Sequence, residues 1–264
     1  MKQNFPRWVQ TTLSSLILFG CSIAPGHCAE SHDAASWPTK GRLKEALLRA
    51  LRTPATWAPA AGAAVMASTD WDGKVSRWAV ERSPVFGSPH TAREWSDPLR
   101  GATHLGMIAT ALAVPGPQPS WKPKLQRLLV EQAGARLAVD MTNIFKDVTQ
   151  RERPDASDQG SFPSAHSSKA FAYSSFASRN LHATQVSDAA RRGIEAGLYT
   201  LAVGTAWSRV EGGVHYPSDV MAGAALGNFM AFFIHDAFLG GSDRVAVDVE
   251  LHPDSPSFQV RLSF

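Results

Sequence analysis

The chain has 264 residues, 44% hydrophobic and 19% charged, with a formal net charge of +3. That length and apolar content are enough to bury a core. Lys2 and Arg7 fall in a segment that reads as removable, and taking both from +3 leaves +1; so weak a positive balance, with no RNA- or DNA-binding signature, gives no reason to expect a nucleic-acid partner.

Residues 1–29 read as an export signal: Lys2 and Arg7, an apolar stretch around Leu13 to Phe19, then small and polar residues. The segment ends either by cleavage near His27 to Glu30 or by lipoprotein processing before Cys21, because Leu18-Phe19-Gly20-Cys21 resembles a bacterial lipobox. Cys21 and Cys28 are the only cysteines, so no internal disulfide is expected in the mature domain. The expected location is the periplasm or the outer membrane.

Residues 30–102 read as a wrapping or lid region. They begin Ala-, Pro- and Ser-rich, with one short helix over Gly41 to Leu51. From 63 to 100, turn residues and scattered tryptophans show no clear period, which suits either a lid or ordinary packing. A helical core is expected over 103–242. Its first helix spans Thr103 to Val114 and ends at Pro115-Gly116-Pro117. From Lys124 to about Arg151, Leu125, Leu128, Leu129, Leu137, Met141, Ile144, Phe145 and Val148 recur at helical spacing. Further helices are predicted over Ser164 to Leu181, Ser187 to Trp207 and Pro217 to Leu239. The last is long enough to span a membrane, but it carries Asn228, His235 and Asp236 and is rich in Ala and Gly, as core helices are. A mean hydropathy of −0.15 also argues against a multi-span protein. Over 243–264, Val245, Val247, Val249 and Leu251, then Phe258, Val260, Leu262 and Phe264, alternate around a Pro253 to Pro256 turn, predicting a β-hairpin. The fold class is therefore all-α, a helical bundle with a short C-terminal β-hairpin.

Three polar clusters interrupt this pattern. In KDVTQRERP, Lys146 and Arg153 stand seven residues apart, two helical turns, so both should leave one face of the long helix. Two such cations either share an anion or are fully solvated. In FPSAHSS, Ser164 precedes Ala165 and His166 at a helix start, where free N–H groups and the helix dipole favour an anion; a plain N-cap beside a surface histidine reads equally well. In SRVEGGVHYPSD, Arg209 precedes His215 by six residues, and Asp219 follows His215 by four, within reach of one imidazole nitrogen. A histidine held that way presents its other nitrogen as a nucleophile or base; a helix-capping Asp beside an incidental His reads equally well.

Together the clusters spell Lys-x6-Arg-Pro, Pro-Ser-x-His and Ser-Arg-x5-His-x3-Asp, in that order. This pattern resembles the type 2 phosphatidic acid phosphatase and vanadium haloperoxidase superfamily, over roughly residues 103–239. The resemblance implies a helical bundle of that superfamily's type and a metal-independent phosphomonoesterase needing no cofactor. It implies that Lys146, Arg153 and Arg209 neutralise the phosphate oxygens, with Ser164 and the Ala165 N–H completing the anion cradle. It further implies that His215 becomes a phosphohistidine oriented by Asp219, and that His166 is the general acid and then the general base. The family usually has Gly where Ala165 stands, which is tolerable if that residue keeps φ below zero. Lipid phosphates, isoprenoid pyrophosphates and soluble esters all remain open as substrates, with membrane association peripheral or through a lipid anchor.

Three rival readings differ in kind. Vanadate held permanently in the same pocket would make a haloperoxidase, though family haloperoxidases are typically much longer chains. Zinc on His166, His215 and Asp219 would face three nearby cations. A non-catalytic anion-binding envelope protein would need no filled acid–base positions, yet all of them are filled.

Overall fold

The computed structural model describes residues 38–115 and 121–240, and the residue pairs 248–249 and 260–261. Local sequence sets most helix starts. Helix α1, Lys40–Arg52, opens where the Thr39 hydroxyl accepts the Arg42 N–H at 3.2 Å. Helix α2, Pro54–Ala67, has proline in its first turn, where a missing N–H costs nothing. Helix α3, Trp71–Arg82, ends in Ser83, which takes the left-handed conformation (φ 41°). Helix α4, Pro89–Ala113, combines both devices: a leading proline, and a Ser88 hydroxyl accepting the Thr91 N–H at 3.1 Å.

The remaining helices are α5 (Trp121–Thr149), α6 (Ala165–His182), α7 (Asp188–Glu211) and α8 (Pro217–Ile234), and the last continues into a π-helical turn, His235–Leu239. Helix α8 is apolar all round, and a helix of that kind is buried. It packs against α2, α5 and α6, with Met230, Ala231 and Ile234 joining Met107, Ala138, Phe176 and Leu198 in the main core. Its apolar window has the length of a membrane span but is 56% buried inside the protein.

Helices α6 and α8 approach closely because glycine faces backbone. A Cβ on Gly223 would lie 2.4 Å from the Ser164 carbonyl oxygen, and one on Gly227 2.1 Å from that of Ser168. The Ser167 hydroxyl donates to the Val220 carbonyl at 2.6 Å across the same seam. This contact sets the Pro163-Ser164 turn against the start of α8, where Asp219 stands.

Several expectations need correction. The stretch without clear periodicity, 63–100, is largely helical, and the helix expected from Thr103 begins at Pro89. The signal was weak because outward faces there carry large apolar groups: Trp71 is 63% and Trp95 50% exposed. The long helix ends at Thr149, with Gln150 in the left-handed region (φ 44°), so Arg153 lies in a loop and does not share a helix face with Lys146. The predicted apolar stretch to Leu239 ends its α-helix at Ile234. At the C-terminus, Asp248 and Val249 pair antiparallel with Arg261 and Val260; the rest of the expected hairpin, like the export signal, lies outside the described residues.

Candidate active site

Although Arg153 leaves the helix, the 150–162 loop returns it to Lys146. The Arg153 N–H and Nε–H both bind Asp158, at 3.0 and 2.7 Å, and one guanidinium NH2 reaches the Val214 carbonyl at 3.3 Å. The Lys146 ammonium donates to the Gly160 carbonyl. A Cβ on Gly160 would stand 3.6 Å from Lys146 Nζ and 3.9 Å from Arg153 Nη2, so this glycine fits between the two cations. Arg209, near the end of α7, donates to the Ser96 hydroxyl at 3.2 Å, while its buried Nε–H has no partner among the described residues.

Arg153 acts on the other two cations. Burial first, then Arg153, lowers the Lys146 pKa. Burial first, then Arg153, lowers that of Arg209 to about 10. Among the described residues no carboxylate lies within ion-pair distance of Lys146 or Arg209, although Asp158 and Asp219 act on the first and Asp97 on the second from farther away. Half-buried cations without a directly paired carboxylate are expensive, and an anion between them offsets the cost.

The N-terminus of α6 faces this group. Ser164 is fully buried, its N–H donates to the Asp219 carbonyl at 3.0 Å, and its carbonyl takes the Ser168 N–H. The N–H groups of Ala165 and His166 carry no bond within the chain among the described residues, which leaves them for a ligand. Ala165 is the first residue of α6 and is not among the positive-φ residues, so its methyl group introduces no backbone strain.

His215 is 2% and Asp219 0% exposed. The His215 Nδ1 is 3.5 Å from Asp219 Oδ2, an electrostatic contact too poorly aligned to be a hydrogen bond. Asp219 Oδ2 is engaged instead by the Ser161 hydroxyl at 2.5 Å and the Tyr216 N–H at 2.8 Å. Burial drives the His215 pKa down to about 4 against the opposing pull of Asp219. Burial would raise the Asp219 pKa, but His215, Ser161 and Arg151 together hold it below the usual value. The neutral imidazole faces a carboxylate on its Nδ1 side, the arrangement that leaves Nε2 unprotonated.

His166 Nε2 lies 3.1 Å from Asp97 Oδ1, and that oxygen also receives Arg100 at 2.9 Å. Burial, then Arg209 and Arg100, lower the His166 pKa to about 4, with Asp97 acting in the opposite direction. All eight residues expected from sequence thus lie on elements that converge here. His166, His215 and Asp219 do not assemble as a metal-ligating group among the described residues.

Two sets of contributors were not anticipated. Arg151 joins the Asp72 and Asp219 carboxylates at 2.7 Å each, donates to the Ser218 hydroxyl at 2.7 Å and covers the Tyr216 ring at 4.1 Å. Helix α4 supplies Arg93, Ser96, Asp97 and Arg100; Arg93 Nε–H holds the Gly212 carbonyl at 2.6 Å. Their spacing of three, one and three residues marks a single polar helix face, a signal present in the sequence but hidden by the surrounding tryptophans.

Residues 132–240 match the model of the PAP2 superfamily. The chain is 32% identical over 167 residues to a decaprenylphosphoryl-5-phosphoribose phosphatase of Mycobacterium tuberculosis, covering 55% of this chain and 81% of the relative; the same similarity holds for the protein of that name from a second strain. The crystal structure of a transmembrane PAP2-type phosphatidylglycerolphosphate phosphatase from Bacillus subtilis aligns with 74% of this chain and 92% of that one, at 24% identity and a TM-score of 0.46. The chain belongs to the PAP2 superfamily and is a phosphatase-type hydrolase.

Proposed function

We propose that the protein is a metal-independent phosphatase working through a phosphohistidine on His215, exported to the periplasm or outer membrane, with a lipid- or isoprenoid-linked phosphomonoester as its substrate class. The observation that carries the reading is the set of three converging cations, of which Lys146 and Arg209 have no carboxylate within ion-pair distance among the described residues, set against two N–H groups at the start of α6 that are unbonded among the same residues. That geometry suits a phosphoryl group with charge spread over its oxygens. The substrate class follows from the name of the mycobacterial relative.

In this mechanism the neutral His215 attacks phosphorus while the bond to the leaving oxygen breaks, and His166 gives that oxygen its proton. His166 then takes a proton from water as the water displaces His215, and inorganic phosphate leaves. His166 is neutral in the free protein at pH 7, so its acid form depends on the negative charge of the bound phosphate, with Asp97 adding to it. Vanadate, shaped like the transferring group, is an expected inhibitor of the same pocket.

Phosphate release from p-nitrophenyl phosphate and a short-chain phosphatidic acid, measured after dialysis against chelator, tests the proposal. Retained activity is expected; activity restored only by added metal sinks the metal-independent mechanism.

A further inference from the structure

Helix α3 lies outside the matched family segment, yet it sends one carboxylate to the start of α8. Asp72 is 4% exposed, and α3 is held in place by Ala79, which packs with Ala206, Val210 and Val220 of α7 and α8. Asp72 Oδ1 accepts the Ser218 N–H at 2.8 Å, in the first turn of α8, where that N–H has no helical acceptor. Its Oδ2 takes both the Ser218 hydroxyl and the Arg151 guanidinium, the latter at 2.7 Å.

Arg151 in turn reaches Asp219 Oδ1 at 2.7 Å, on the carboxylate whose other oxygen stands 3.5 Å from His215 Nδ1. The Arg151 carbonyl takes the Ser161 N–H at 3.0 Å, and the Ser161 hydroxyl binds Asp219, so backbone and side chain of Arg151 are both tied to this carboxylate.

One guanidinium needs one carboxylate, and a second buried one is costly. The excess has a use at Asp219. Burial acts to neutralise Asp219, and Arg151 is among the groups that keep it ionised. The same contact draws the carboxylate's charge away from the imidazole, and Asp72, by sharing the guanidinium, returns it. As Nε2 bonds phosphorus the ring takes on positive charge, which Asp72 makes easier to hold. Lys146 and Arg209 already act, after burial, against a charged imidazole.

We infer that Asp72 is a positioning residue for phosphoryl transfer: through Arg151 and Ser218 it holds Asp219 and leaves that carboxylate's charge to stabilise His215 as its Nε2 bonds phosphorus. The inference rests on the phosphohistidine reading above and adds to it a residue from α3.

Rapid-quench measurement of label on His215, together with equilibrium dialysis of inorganic phosphate, tests this in the full chain. Asp72→Asn keeps an oxygen for the Ser218 N–H and removes the charge. Its rate of label formation is expected to fall about tenfold, as for one weakened charge contact, with phosphate affinity within about twofold of wild type. Adding Arg151→Met removes the cation that competes for Asp219, so the double variant is expected to regain a rate within about threefold of wild type. A residue that merely holds α8 in place gives no such recovery. An unchanged rate in Asp72→Asn, a double variant no faster than that single one, or phosphate binding that weakens in step with the rate overturns the inference. Should Asp72→Asn fail to fold, the double variant decides alone, and a folded double variant more than about tenfold slower than wild type overturns it. Phosphate release by the wild type with no label on His215 overturns the phosphohistidine reading, and this inference with it.

Discussion

The carboxylate of Asp97 stands 3.1 Å from Nε2 of His166, joining a helix outside the matched family segment to the residue proposed to handle the leaving group's proton. Burial and two arginines lower the His166 pKa, and Asp97 counters them. In Asp97→Asn the acid form is harder to reach, so kcat is expected to fall about tenfold for an alkyl phosphate. A p-nitrophenyl ester, whose leaving group needs little protonation, should lose much less. Equal losses on both esters remove Asp97 from this role.

Arg151 bridges two buried carboxylates, Asp72 and Asp219. Arg151→Met leaves both without their charge partner, and a loss of about 3 kcal/mol of stability is expected. Adding Asp72→Asn should recover part of that loss, because one buried charge is gone. Thermal unfolding of the single and double variants decides it; an unchanged melting temperature in the single variant contradicts the account.

Glycine substitutions separate close packing from free space. Gly227→Ala drives a methyl into the Ser168 carbonyl and is expected to cost about 1–3 kcal/mol. Gly223→Ala meets the Ser164 carbonyl and so should also reduce activity, by displacing the anion-binding turn. Gly197, inside α7 with nothing within 4 Å, should accept alanine with a gain of about 0.5–1 kcal/mol. Chemical denaturation of the three variants should reproduce that order, and a stable Gly227→Ala protein would refute the seam.

Glu131 is fully buried in α5, neither carboxylate oxygen meets hydrogen-bond geometry among the described residues, and burial raises its pKa to about 8 against the opposing pull of Asn180 and Arg127. The folded value lies above the unfolded one near 4.5. The stability associated with its protonated form is therefore complete below pH 4.5 and is lost progressively as pH rises to about 8. Glu131→Gln removes the titration, so the variant's melting temperature relative to wild type should climb between pH 4.5 and 8. A pH-independent difference between the two proteins would show that Glu131 does not titrate in this range.

What sequence could show follows from how each residue is placed. His215 and Asp219 stand four residues apart across a turn and a helix start, and Ser164 caps its own helix, so local spacing locates them. Lys146 and Arg153 were correctly associated for the wrong reason, since a loop closed by Asp158 unites them where two helical turns were expected. Asp97, Ser96 and Arg151 act across long sequence separations, and their partners come within reach only through the packing of α3, α4 and α8. The strong periodicity of α5 made that helix legible. The shorter α2 and α3 expose Trp57, Trp71 and Trp78, which removes the contrast between faces that a pattern needs.

The central claim is that His215 carries the phosphoryl group. Rapid quenching of the wild-type protein with radiolabelled phosphomonoester in excess chelator, followed by peptide mapping under alkaline conditions, measures it directly. The account predicts a base-stable, acid-labile label on the peptide holding His215, absent in His215→Ala. Turnover without any such label, or a label that persists in His215→Ala, would contradict it.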